Sequence, residues 1–216
     1  MVDVNTLFDV ALGTYDFDIV MMVAEKSQKD PKVRKFTYDE REIYFVVFQE
    51  YLPFLNNFKK MEENFRKYSI DKHLKRYESA LENIVKCAEQ FPLCLELVTS
   101  QRLYKAALQL LPRAGPEYRQ VCRAYGGYLS SKRYHEEASL LYQRSGNLDE
   151  AVSEARLGLC WERAGQLARA AGWPQERLTE LYLDLVTKLE AAGRPGEAAT
   201  ILAEWCQDGE VRGHTG

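Results

Sequence analysis

The sequence predicts an all-α protein, an α-solenoid built from degenerate helical hairpins of tetratricopeptide type. Three observations predict it. Apolar residues recur at intervals of three and four along nearly every patterned stretch, the helical period. Gly146, Gly172 and Gly193 close successive segments at boundaries short enough to make neighbouring helices antiparallel. Alanines recur at Ala107, Ala138, Ala151, Ala164 and Ala198, and the intervals 107–138 and 164–198 lie near the 34-residue hairpin period.

Taken in order, Asn5–Leu12 and Tyr15–Glu25 read as a helix pair across Gly13-Thr14. Val33–Gln49 breaks the pattern. Its run from Ile43 to Phe48 suits a strand as readily as a helix, yet no strand partner is evident elsewhere in the sequence. Tyr51–Tyr68 and Ile70–Ala88 read as two longer helices, with Ser69 or Asp71 as the N-cap of the second. Phe91–Val98 and Leu103–Leu111 make a short pair, and Pro112–Pro116 is a loop ahead of a helix over Glu117–Leu129.

Two later boundaries share their wording: Gly146-Asn147-Leu148-Asp149-Glu150-Ala151 and Gly193-Arg194-Pro195-Gly196-Glu197-Ala198. Glycine takes the left-handed turn, and the following alanine lets the two helices of a hairpin approach closely. The clearest single helix spans Pro174–Ala192. Leu178, Leu181, Tyr182, Leu185, Val186 and Leu189 share its apolar stripe, with Pro174 suited to the first turn and Gly193 to the stop. Residues 207–216 show no periodicity and are predicted to be a disordered tail, leaving 1–206 as the helical-repeat array.

Composition excludes several classes. Hydrophobic residues at 46% and charged residues at 28% are far from a disordered profile, and a net charge of −3 gives no overall field toward nucleic acid. The longest apolar runs, Ile19–Ala24 and Ile43–Phe48, are too short to cross a bilayer. Asp3, Asp9, Asp16 and Asp18 precede the first cation, Lys26, unlike a signal peptide. The expectation is an intracellular protein, cytoplasmic and open to the nucleus. Cys87, Cys94, Cys122, Cys160 and Cys206 form no CxxC pair and read as reduced, packed thiols.

Val2–Asp18 and Met22–Lys32, then Glu50-Tyr51-Leu52-Pro53-Phe54-Leu55 and Ile70–Glu78, resemble the family of the largest, scaffold subunit of the Elongator complex, the IκB kinase complex-associated protein family. The likeness continues more loosely through Ala124-Tyr125-Gly126 and Ala198–Leu202. This resemblance implies a non-catalytic scaffold segment that holds the second and third Elongator subunits for wobble-uridine modification of transfer RNA. It further implies that the chemistry, with its radical-SAM cluster and acetyl-CoA, belongs to another subunit, and that the dimerising region is absent from this chain. In the family pattern the counterpart of Glu50-Tyr51-Leu52-Pro53 follows directly on Lys32. Residues 33–49 therefore read as an irregular insertion, and the sequence as a truncated or alternatively spliced product or a gene-model artefact. Vesicle-coat and intraflagellar-transport arms also use degenerate helical repeats, so a solenoid arm of that type is the alternative.

No enzyme is predicted, and neither cofactor nor metal. His73, His135 and His214 are far apart, and His135-Glu136-Glu137 lacks the second histidine of a zinc helix. Gly126-Gly127 interrupts a helix and marks tight packing or a kink. The strongest binding signal is basic. Lys59, Lys60, Arg66, Lys67, Lys72, Lys75 and Arg76, set against Glu62, Glu63 and Asp71, leave residues 59–76 with a net +4. Phe65, Tyr68 and Tyr77 are interleaved, and cations with aromatics can contact phosphates and bases, so weak binding of transfer RNA is a candidate role. The same aromatics also fit buried stripes, and long cations commonly coat a solvated helix face. Arg119, Arg123, Lys132 and Arg133 form a weaker cluster. Tyr104, Tyr134, Tyr142 and Trp161 read as wedges between hairpins, and Leu7, Phe8, Leu202 and Trp205 as exposed apolar positions.

Overall fold

The backbone is described for residues 4–16, 18–23 and 60–213 of a computed structural model. Every regular element among these residues is helical. The ambiguous stretch 33–49 and the start of the helix expected at Tyr51 lie outside them. The chain divides into two compact units, Met1–Leu110 and Leu111–Gly216.

In the first unit, α1 (Val4–Leu12) and a helical stretch over 18–23 precede α2 (Glu63–His73), α3 (Tyr77–Ile84), α4 (Phe91–Gln101) and α5 (Tyr104–Leu110). Phe8, Ala11, Leu12, Val20 and Ile70 form one buried cluster. Phe8 is therefore core, where the sequence predicts exposure. It shares a helical face with Ala11 and Leu12, while Leu7, one residue back, points off that face and is exposed.

The second unit contains α6 (Pro116–Ser131), α7 (His135–Ser145), α8 (Leu148–Leu157), α9 (Trp161–Ala170), α10 (Gln175–Ala191) and α11 (Pro195–Gly213). Each helix packs on the next, and the stripe of α10 joins Ala151, Ala155, Ala164, Leu167, Ala168 and Ile201 in one core. Fully buried Leu185 and Leu189 contribute about 1.5–3 kcal/mol each at this seam.

One local device recurs at the hairpin turns. A residue in the left-handed region ends one helix, and the next N–H reaches back to the carbonyl five positions earlier. Arg76 donates to Asp71 (2.8 Å), Leu103 to Val98 (2.9 Å), Tyr134 to Leu129 (3.0 Å), Asn147 to Tyr142 (3.0 Å), Cys160 to Ala155 (2.9 Å) and Arg194 to Leu189 (2.8 Å). This is the longer bond of a Schellman stop, and it satisfies carbonyls that a helix end leaves unpaired. The left-handed residues are Lys75, Arg102, Arg133, Gly146, Leu159 and Gly193. Five residues after each of these six stands an alanine, Ala80, Ala107, Ala138, Ala151, Ala164 and Ala198, all buried; the same stop at Gly172, where Trp173 donates to Ala168 (3.1 Å), has Arg177 in that place. A methyl group in the first turn of the new helix lets its axis lie close to its partner.

Glycine is needed for space as well. At Gly126 a Cβ would meet the Tyr142 ring at 3.3 Å, and at Gly165 it would collide with the Tyr182 hydroxyl. Gly126 thus marks tight packing, as expected, but the pair interrupts nothing: α6 runs through Gly126 and Gly127.

Three further expectations differ from the structure. Ser69 and Asp71 do not start a helix; α2 runs through both. Its N-cap is Glu62, whose carboxylate accepts from the N–H groups of Asn64 and Phe65 at 3.1 Å each. Tyr134 is 56% exposed and wedges nothing, because it occupies the turn before α7. Residues 207–213 continue α11, in place of the predicted irregular tail. Extending an existing helix costs far less than nucleating one, so no apolar stripe is required there.

Candidate functional site

The predicted basic stretch does not assemble into one surface. Lys59 lies outside the described residues, and Lys60 is exposed just ahead of the α2 cap. Within α2, Lys67 is committed to Glu63 (2.6 Å) and sits 5.9 Å above the Tyr15 ring. Lys72 lies 3.9 Å from Glu96 on α4 and 5.7 Å over the ring of Tyr68. Arg66 is half-buried on the same helix. Tyr68 is buried and stacks on Phe65 with ring centroids 5.6 Å apart, so it is no platform for a base.

Lys75 and Arg76 form a separate group. Lys75 is the left-handed residue that closes α2, and Arg76 precedes α3. Together with Tyr77, Ser79 and Gln101 they line an open cleft of about 430 Å3, with Glu78 the acid in its wall. The Arg76 guanidinium also donates to the Gly13 carbonyl at the end of α1 (3.4 Å), a favourable place for a cation. Gly13 has to be small there, since a Cβ would lie 2.7 Å from the guanidinium nitrogens.

The sequence did not point to the polar joint beneath these cations. Asp71 is completely buried; it accepts from the Tyr15 hydroxyl (2.8 Å) and the Asn83 side-chain amide (3.0 Å). Burial first, and the bond to Asp71 second, push the Tyr15 hydroxyl up to about 12, so it donates at every ordinary pH. Only a buried acid at a helical stripe position signalled this joint, and such an acid resembles an N-cap when read alone.

In the second unit, Glu154 is the comparable hub. It accepts from the Ser130 hydroxyl (2.8 Å) and lies 2.8 Å from His135 Nδ1. Both contacts converge on the one carboxylate, which ties the end of α6 and the start of α7 to α8. His73 lies 3.8 Å from Asp9, and His214 is outside the described residues. Among the described residues no His, Cys, Asp and Glu set is arranged to hold a metal ion. Nor is any helix there long and apolar enough to cross a membrane.

Arg123 of the weaker cluster pairs with Glu150 (3.6 Å), and the Arg119 guanidinium donates to the Ala114 carbonyl (3.4 Å). Lys132 and Arg133 are exposed at the turn after α6. Tyr104 is buried, while Tyr142 and Trp161 pack half-buried against the core of the second unit.

Exposed apolar side chains mark the outer faces: Leu7, Val10, Ile19 and Met22 in the first unit, and Leu157, Leu183 and Leu202 in the second. The side chain of Trp205 lies outside the described residues. Trp173, in the turn before α10, donates to Asp149 (2.7 Å) while the Arg177 guanidinium lies 3.4 Å above its ring.

Comparison with known proteins gives these surfaces a setting. Residues 1–36 match the family model described as ELP1 alpha-solenoid, and residues 65–212 match the ELP1 TPR domain. The chain is 41% identical over 211 residues to the putative elongator complex protein 1 of Xenopus laevis, covering 97% of this chain and 17% of that protein. It is likewise 41% identical to elongator complex protein 1 of Mus musculus and 37% identical to that of Drosophila melanogaster, spanning 15% of each. Those alignments take in 97% and 96% of this chain. Residues 37–64 fall between the two family matches, and the insertion expected at 33–49 overlaps that interval.

Proposed function

Because the chain belongs to the Elongator complex protein 1 family, we propose that it serves as a non-catalytic scaffold segment of the Elongator complex, holding other subunits for modification of transfer RNA. The match of 65–212 to the ELP1 TPR domain carries this reading. Consecutive hairpins spend their alanine and leucine faces on one another and leave outer faces studded with Leu157, Leu183 and Leu202. Stacked helical hairpins present extended outer faces of the kind that repeat proteins use to dock partners.

The second and third Elongator subunits are the partners this reading names. Affinity purification of the tagged chain from cells, with quantitative mass spectrometry, tests it. Enrichment of those subunits supports the scaffold role. Enrichment of vesicle-coat or intraflagellar-transport subunits in their place overturns it.

A further inference from the structure

From the cleft beside α3 we infer a binding site for one phosphorylated serine or threonine side chain presented by a protein segment. Lys75 and Arg76 stand side by side on its wall, and Ser79 and Gln101 add polar groups. An ammonium beside a guanidinium meets a dianion well; one Arg76 nitrogen is held at the Gly13 carbonyl (3.4 Å), the remaining N–H donors are left for the ligand, and Glu78 in the same wall is the opposing charge. No side chain caps the first turn of α3, so its leading N–H groups add donors at the same wall.

Size and charge choose the ligand class. At about 430 Å3 the cleft exceeds a free phosphate ion and fits a phosphorylated side chain with its flanking backbone. A nucleic-acid strand instead needs a track of cations and exposed rings. Here Lys67 and Lys72 turn to Glu63 and Glu96, and Tyr68 is buried. What remains is a point site, the geometry of phosphorylated-motif recognition. This site stands apart from the scaffold reading: co-purification tests that reading, and the titration below tests this one.

The test is an amide-shift titration of the full chain with capped phosphoserine, alongside capped serine, sulfate and a 12-mer of oligouridylate. Capped phosphoserine is expected to shift amides of 75–79 and 101–103 saturably, with Kd of about 1 mM for so small a probe. Lys75→Gln, at an exposed turn position, is expected to weaken binding about tenfold without changing thermal unfolding. Arg76→Lys tests the guanidinium while keeping the charge that faces Gly13. Three outcomes overturn the inference: no saturable shift, equal shifts by capped serine, or oligouridylate binding that phosphoserine does not displace.

Discussion

Removing a single oxygen tests the joint between α1 and α2. Tyr15→Phe deletes the hydroxyl that donates to Asp71 at 2.8 Å and leaves the ring beneath Lys67. Asp71 has no access to water and keeps only the Asn83 amide among its side-chain donors here. Leaving a buried carboxylate short of one donor costs about 1–3 kcal/mol. The loss should appear locally, since α1 and the turn after it reach α2 and its following turn through this bond, the Arg76–Gly13 contact, the exposed His73–Asp9 pair and one small apolar cluster. Native-state hydrogen exchange reads it directly. Amides of Ala11, Leu12 and Ile70 should exchange about 5- to 150-fold faster in the variant. Asp71→Asn and the double variant complete a cycle that isolates the pair. Exchange within about twofold of the parent at those amides would refute the reasoning.

The same hydroxyl predicts a pH dependence. Its folded value of about 12 exceeds the ordinary 10.0, so its contribution is complete below 10 and is lost as pH rises through 12. Urea unfolding of parent and Tyr15→Phe should therefore converge between those limits. Gly165→Ala forces a methyl into the Tyr182 hydroxyl and should cost about 1–3 kcal/mol by thermal unfolding, relieved by Tyr182→Leu. Gly146→Ala meets open space and suffers only the left-handed backbone, about 1–2 kcal/mol, with no relief from any neighbour. Burial pushes the Cys94 thiol up to about 11, so iodoacetamide at pH 8 should label it only on unfolding, scored by peptide mass.

How much of this was legible follows from which residues mark the turns. Gly146 and Gly193 announce their stops, and the alanines five positions on were readable as the close-packing seam. Lys75, Arg102, Arg133 and Leu159 make the same left-handed turn without a glycine, so the break between α2 and α3 left no breaker in the sequence. That one missing signal turned Asp71 into an apparent cap and hid the Tyr15–Asp71 joint, which joins residues far apart in sequence. Glu62 was missed because glutamate is seldom the side chain that caps a helix. The basic run was legible as composition, whereas its division between acidic neighbours and a cleft depends on how α2, α3 and α4 pack.

Residue-resolved hydrogen exchange of the intact chain would probe the hairpin seam itself. Amides of Ala107, Ala138, Ala151, Ala164 and Ala198, each in the first turn of its helix and buried against the preceding one, should outlast those of the 113–115 loop by orders of magnitude. Exchange at these alanines as fast as in that loop would mean that the hairpins do not stack.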